Sequence, residues 1–145
     1  MSLLSVLSVS ASGMAAQRTR AELLVENLAN AETTRTPEGG PYRRKDAVFT
    51  SAPQISAFGA VFQTEVGEGI NGVAVSDIVE DTGEPDKRYL PGHPDADKDG
   101  YVAFPRINPA EEMVDLMSAQ RGYEGNIAAM TAIKDILMRS IALLS

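Results

Sequence analysis

The sequence predicts an α+β fold in which two long terminal helices form an antiparallel, coiled-coil-like pair, with a central extended loop and a small β-hairpin module. Three observations support this prediction. Apolar residues recur at alternating three- and four-residue steps toward both ends of the chain, which is the spacing of a helical heptad seam. Residues 32–107 contain every proline except Pro109, together with short β-branched runs. A length of 145 residues with 43% hydrophobic content suits one modest folded unit.

The first helix is predicted to span residues 2–31. Ser2 is a suitable N-cap, and no proline interrupts the pattern before Pro37. We predict that the apolar side chains of this seam lie in a subunit interface. They are Leu3, Leu7, Met14, Ala21, Leu24 and Leu28.

The second helix is predicted to span residues 109–144. Asn108 is placed as the N-cap, Pro109 as the first helical residue and Glu111 as the third. The apolar members of its seam, assigned to the same kind of interface, are Met113, Leu116, Tyr123, Ile127, Met130, Leu137, Ile141 and Leu144. A second stripe makes this helix apolar on more than one side, and it consists of Ala119, Gly122, Asn126, Ala129, Ile133, Ile136 and Leu143.

The length of the second helix predicts that other molecules cover part of it. A helix of about 35 residues is about 52 Å long, whereas a compact globule of this size is only about 38 Å across. Its apolar flanks must therefore lie against the first helix or against other chains. Gly122 and Gly125 weaken this helix, so they indicate either a bend or a close approach of another helix, and both alternatives are open.

Residues 1–31 and 108–145 are predicted to form one helical domain. The middle of the chain, between these two segments, is predicted to contain two parts. Residues 32–59 form an extended, basic Gly/Pro loop, and residues 60–107 form the β module. Strands are expected at 60–66, 72–81 and 101–104, with a turn at Asn71-Gly72 joining the first two. The basic loop residues either remain solvated or contact an acidic surface of another subunit, and they are Arg35, Arg43, Arg44 and Lys45.

Composition and spacing argue against several classes of function. A net charge of -7 disfavours nucleic-acid binding, and there is neither an 18-residue apolar run nor a basic region ahead of an N-terminal apolar stretch. The single histidine, His93, lies in a turn with no nucleophile context, so a hydrolase built on it is the least favoured alternative. Glu111 and Glu112 fit a helix N-terminus better than a general acid and base. We therefore predict that the protein is not an enzyme and has no cofactor.

A calcium site is the main alternative. Asp95, Asp97, Asp99 and Gly100 have the spacing of a calcium loop. The twelfth position, however, is Arg106, a fixed positive charge where a bidentate Glu is required. An Asp/Gly-rich turn without metal is the preferred interpretation, and a small calcium-binding module remains the alternative.

Three stretches together resemble the flagellar basal-body rod proteins, the axial family of rod and hook. They are residues 27–49, 89–105 and 108–130. The matching motif positions are Asn27 and Asn30 near the end of the first helix, Thr33 after it, and Gly92, His93, Pro94, Gly100 and Tyr101 in the turn.

The resemblance implies a structural subunit of the proximal rod, a tube of packed terminal helices that transmits torque. It further implies export by the flagellar type III apparatus without a cleaved signal peptide, and assembly in the periplasm on the inner-membrane ring. The implied partners are other rod proteins and further copies of the chain.

Overall fold

The structure is a computed structural model that describes residues 3–53 and 71–143. Along the described chain, four strands lie between two helices. The elements are α1 (Leu3–Ala29), β1 (Lys45–Pro53), β2 (Asn71–Glu80), β3 (Asp86–Tyr89), β4 (Tyr101–Phe104) and α2 (Pro109–Ala142). The strands form two separate antiparallel pairs, β1–β2 and β3–β4. This arrangement confirms the predicted α+β class with long terminal helices.

The two helices pack antiparallel at glycine positions. A Cβ atom added at Gly13 would lie 2.9 Å from Asn126 Oδ1, and one added at Gly122 would lie 3.1 Å from Gln17 Cδ. Both distances are shorter than ordinary packing contacts, so a side chain at either glycine would force the side chain of Asn126 or Gln17 to move. Gly122 therefore serves close helix approach, which was one of the two open alternatives.

The start of α2 follows the predicted signals. Asn108 Oδ1 accepts a hydrogen bond from Ala110 N at 3.1 Å, and Pro109 occupies the first turn. With Gly13 level with Asn126, the end of α2 projects roughly 9 Å beyond the first residue of α1. In the described part of the chain, neither helix is apolar enough over a sufficient length to cross a membrane.

The first hairpin corrects part of the sequence prediction. Lys45–Pro53, expected to belong to an extended loop, is strand β1 and pairs with β2 from Lys45 opposite Glu80 to Pro53 opposite Asn71. Val48, Phe49 and Thr50 are good strand formers, and β2 supplies the hydrogen-bonding partner that a loop would lack. The predicted turn at Asn71-Gly72 is also wrong, because these are the first two residues of strand β2. The predicted strand at 60–66 lies outside the described residues.

The second hairpin was predicted in part. Tyr101–Phe104 forms β4 as expected, and its partner β3 runs from Asp86 opposite Phe104 to Tyr89 opposite Tyr101. The rings of Tyr89 and Tyr101 meet edge to face, with centroids 5.4 Å apart. Val102 and Phe104 turn inward and are buried.

Helix α1 is the central element. It contacts α2 along one side and the β1–β2 hairpin along another. Its buried side chains include Ala16, Leu23 and Leu24, while α2 contributes Ala119 and Ile133 to the core. This core is small for two helices of 27 and 34 residues, so much of the outer surface of α2 has no covering element within the described chain.

Candidate functional site

A buried asparagine lies where the last turn of α1 meets the rest of the protein. Asn27 is 0% exposed. Its side-chain Nδ2 donates to the backbone oxygen of Lys45 at 2.9 Å and to Glu112 Oε2 at 3.2 Å. Its Oδ1 accepts from the backbone nitrogen of Lys45 at 2.9 Å and from the hydroxyl of Tyr42 at 3.1 Å. All four hydrogen-bonding positions of the amide are thereby used.

An ion pair extends this network to α2. Glu112 is 2% exposed, and its Oε1 accepts from Arg44 Nε at 2.5 Å. Arg44 also pairs with Asp46. Burial alone would lower the pKa of Arg44, but the hydrogen bond and charge of Glu112, with the charge of Asp46, raise it above its ordinary value. We call Asn27, Tyr42, Arg44 and Glu112 the polar joint, because they link α1, the segment before β1 and the first turn of α2.

Two side chains at the polar joint, Tyr42 within it and Lys45 beside it, have raised pKa values. Lys45 Nζ lies 2.7 Å from Glu26 Oε1, and this hydrogen bond raises the pKa of Lys45. Burial is the main cause that raises the pKa of Tyr42, and the charge of Glu26 adds to it. The Tyr42 hydroxyl is therefore neutral and can donate to Asn27 over the whole physiological range.

The basic loop residues all have partners within the chain. Arg44 and Lys45 are bound to Glu112 and Glu26, as described above. Arg43 Nη1 donates to the backbone oxygen of Asp81 at 3.0 Å, and Arg35 Nη1 lies 3.6 Å from Asp95 Oδ1. A solvated loop is therefore the wrong description for Arg44 and Lys45, whereas contact of Arg35 or Arg43 with another subunit stays a prediction.

The family motif spans the end of α1. Asn30 Nδ2 donates to the backbone oxygen of Glu26 at 2.9 Å, and Thr33 Oγ1 donates to Asn30 Oδ1 at 3.1 Å. The first bond gives the Glu26 carbonyl oxygen a second donor, since it also accepts from the backbone nitrogen of Asn30 at 3.1 Å. Asn27, the first residue of the same motif, forms the hydrogen bonds of the polar joint described above.

The Asp/Gly-rich turn is built from its own side chains. Asp97 Oδ1 accepts from Asp99 N at 2.9 Å and from Tyr101 N at 2.8 Å. Gly100 has a φ of +83°, a conformation that favours glycine, and the Tyr89 ring would be 2.9 Å from a Cβ placed there.

A second carboxylate joins the turn to the segment that follows α1. Asp95 Oδ2 accepts from Thr34 Oγ1 at 2.8 Å, and Asp95 N donates to His93 Nδ1 at 3.1 Å. The flanking Gly92 and Pro94 are exposed. Asp95 and Asp97 are thus engaged by protein donors, and among residues 3–53 and 71–143 no cluster of three or more acids or histidines is suited to a metal ion. Nothing in this geometry supports the calcium alternative.

The face that α2 presents to α1 is centred on the second stripe rather than on the first seam. Ala119 and Ile133, both from the second stripe, are buried against α1. Four members of the first seam are exposed, from 38% for Tyr123 to 62% for Ile141, and we call them the outer face: Met113, Tyr123, Ile127 and Ile141. Assignment of these four residues to a subunit interface stays a prediction. The small residues Ala119 and Gly122 of the second stripe permit the close approach of α1.

The remaining seam positions are intermediate or buried. Leu24 is buried, and the half-buried members are Leu7, Met14, Ala21, Leu28, Leu116, Met130 and Leu137. An apolar groove between the helices is lined by Leu7, Met14, Ile127, Met130 and Leu137. Leu144 and the side chain of Leu3 lie outside the described part of the structure.

Comparison with known proteins decides the family. A family model described as the C-terminal region of flagellar basal body rod FlgEFG proteins matches residues 98–143. The flagellar basal-body rod protein FlgC of Bacillus subtilis is 42% identical over 93% of both chains. That of Borreliella burgdorferi is 39% identical over 99% of both, and that of Salmonella typhimurium is 35% identical over 99% of this chain and 98% of its own. The chain belongs to the FlgC family of flagellar basal-body rod proteins.

Within this FlgC-family chain, sequence reasoning missed the role of Glu112. It was interpreted as a helix-dipole charge, whereas the structure buries it against Asn27 and Arg44. A signal was available, since Glu112 lies seven residues before Ala119 and therefore on the stripe that packs against α1.

Proposed function

We propose that this protein is a structural subunit of the proximal flagellar rod, assembling through its terminal helices into the tube that transmits torque. Membership of the FlgC family of basal-body rod proteins gives the setting, the bacterial flagellum. The observation that carries the proposal is the outer face of α2, an apolar surface along a 34-residue helix. No bond is made or broken in this role.

The outer face is the proposed subunit interface. Complete burial of a large apolar side chain contributes about 1.5–3 kcal/mol, and in this chain much of that contribution is still available from Met113 and Ile141, which are 48% and 62% exposed. The end of α2 that projects beyond α1 carries Ile141, so a neighbouring molecule can contact it from more than one side. Many such contacts, each modest, resist twisting when they are summed along a shaft.

The same proposal includes the partners and the compartment. Other rod proteins and further copies of the chain contact the helices, and the inner-membrane ring holds the base of the rod within the periplasm. Export by the flagellar type III apparatus, without a cleaved signal peptide, brings the chain there. These elements rest on the family resemblance.

The test replaces outer-face residues with charges that the isolated helix tolerates. Met113→Glu places an acid at an exposed position just after the first turn of α2. Ile141→Lys places a base in its last turn, where the helix dipole favours a positive charge. We expect both variants to be expressed and folded but absent from purified basal bodies, with loss of swimming. Met113→Leu and Ile141→Leu are the matched controls and should support motility.

Normal incorporation of both charged variants would contradict the proposed interface. Leu24 is unsuitable for this test, because it is 3% exposed within the chain. A charge at Leu24 would unfold the helix pair and give the same loss of swimming for a different reason.

A further inference from the structure

We propose that Glu112 is a positioning residue that sets the orientation of the β1–β2 hairpin relative to the helix pair. The proposal rests on the proposed rod function only for its purpose, which is to present the hairpin to neighbouring subunits in one direction. The physical claim concerns the single chain.

Apolar burial supplies little of the hairpin's attachment. In the described strands β1 and β2, Gly72 is the one buried residue, and it has no side chain. Val48 and Val79 are among the apolar side chains of the hairpin that remain exposed. Since burial is non-directional and small here, it cannot by itself select one orientation.

The polar joint, in contrast, consists of directional hydrogen bonds, and it contacts the hairpin where β1 begins. One oxygen of Glu112 accepts from Arg44, which directly precedes β1, and the other accepts from Asn27. Asn27 in turn holds both backbone groups of Lys45, the first residue of β1. Rotation of the hairpin would break these bonds and leave a buried carboxylate without partners, which is costly.

At the opposite end of the hairpin, fewer hydrogen bonds attach it to the helix pair. There the backbone nitrogen of Val73 donates to Ser12 Oγ at 3.1 Å. Buried ion pairs add little to stability compared with apolar residues of the same size, but some of them fix one arrangement among several. Glu112 lies between the helix pair and a hairpin in whose described strands Gly72 is the one buried residue, and this is the position that such a role requires.

The experiment uses spin labels, which the absence of cysteine makes simple. The chain has Cys 0, so cysteines introduced at exposed Thr50 in β1 and exposed Ser118 in α2 would be the only two. Double electron–electron resonance on the full chain then reports the distribution of hairpin-to-helix distances. A control pair at Ala15 and Ser118 reports the helix pair alone.

The decisive variant replaces both members of the ion pair, Glu112→Met with Arg44→Met, so that no buried charge loses its partner. We expect the Thr50–Ser118 distribution to broaden about twofold or more. The Ala15–Ser118 distribution should be unchanged. Tm should fall by several degrees, because the buried Asn27 Nδ2 loses its acceptor on Glu112. Broadening of the hairpin distance alone is the result that supports the proposal.

Two results would overturn it. An unchanged Thr50–Ser118 distribution would mean that other contacts orient the hairpin, and equal broadening of both distributions would assign Glu112 to the helix pair. If the double variant fails to fold, Arg44→Lys serves instead, since it keeps the charge but loses the planar fork that reaches Glu112 and Asp46 together. A narrow hairpin distribution in that variant would equally contradict the proposal.

These measurements are independent of rod assembly. Normal incorporation of the charged outer-face variants would remove the proposed subunit interface and leave the label distances as they are. A narrow distance distribution would remove the positioning role of Glu112 and leave the outer-face experiment unaffected.

Discussion

At the residue scale, the identity of Asn27 follows from its hydrogen bonds. The side-chain amide pairs with both the N–H and the C=O of Lys45, as a neighbouring strand would. Only an amide of this length can donate to Glu112 while accepting from Tyr42. The chemical requirement is thus for donor and acceptor together, which an acid of the same shape does not meet.

Asn27→Asp should therefore destabilise the protein strongly. The new carboxylate would lose both donors and would lie against the oxygens of Glu112 and Lys45, so we expect the free energy of unfolding to fall by about 3 kcal/mol or more. Urea unfolding followed by circular dichroism measures the change. Asn108→Asp is the control, because the exposed N-cap needs only an acceptor, and its effect should stay within about 0.5 kcal/mol.

The raised pKa of Tyr42 predicts that the protein loses stability at alkaline pH. The pKa of this side chain is raised above the ordinary value of 10.0, so the neutral hydroxyl contributes stability that is complete below pH 10 and is lost as the pH rises toward the folded-state pKa. Tyr42→Phe removes this titration at the cost of the hydrogen bond to Asn27. We expect the gap in unfolding free energy between the two proteins to narrow from pH 9 to pH 11. A constant gap would show that Tyr42 does not titrate differently in the folded state.

At the element scale, local signals predicted helix ends better than partners. Asn108 and Pro109 mark the start of α2 because a cap and a fixed φ act within one turn. The choice between the two stripes of α2 depended instead on how closely α1 can approach, which Gly13 and Gly122 determine in three dimensions. Strand β1 was missed for a related reason, since its pairing with β2 joins segments distant in sequence.

The two glycines of α2 should respond differently to alanine. A Cβ at Gly125 meets nothing within 4 Å, so Gly125→Ala should stabilise the isolated chain by about 0.5–1 kcal/mol through helix propensity. At Gly122 the same gain is offset by the contact with Gln17. We expect Gly122→Ala to be less stable than Gly125→Ala by about 1 kcal/mol in thermal unfolding. Equal stability would contradict the close approach at Gly122.

At the scale of the whole molecule, buried residues are more numerous at one end of the helix pair. The polar joint, the buried Leu23 and Leu24 of α1 and the buried Ala119 of α2 lie in one half of the helix pair. Beyond Ile133, α2 has no buried residue among those described. The isolated chain is therefore well packed around the polar joint, whereas the C-terminal end of α2 is exposed.

This gradient predicts the pattern of amide exchange. In dilute solution, hydrogen–deuterium exchange followed by mass spectrometry should show the strongest protection for residues 23–27 and 112–119, and rapid exchange for residues 136–142. Assembly into rods should protect the latter segment. Uniform protection of α2 in the isolated chain would mean that its far end is stable without partners.

The burial of Asn27 also bears on chemical ageing. Asparagine side chains deamidate when the next backbone nitrogen can attack the amide carbon, and they are among the residues that limit protein lifetime. Spontaneous deamidation of Asn27 would produce the very carboxylate that the joint cannot accept. Because the amide is 0% exposed and held by four hydrogen bonds, it is shielded from that reaction. The hydrogen bonds that hold the joint together thus also preserve the amide on which they depend.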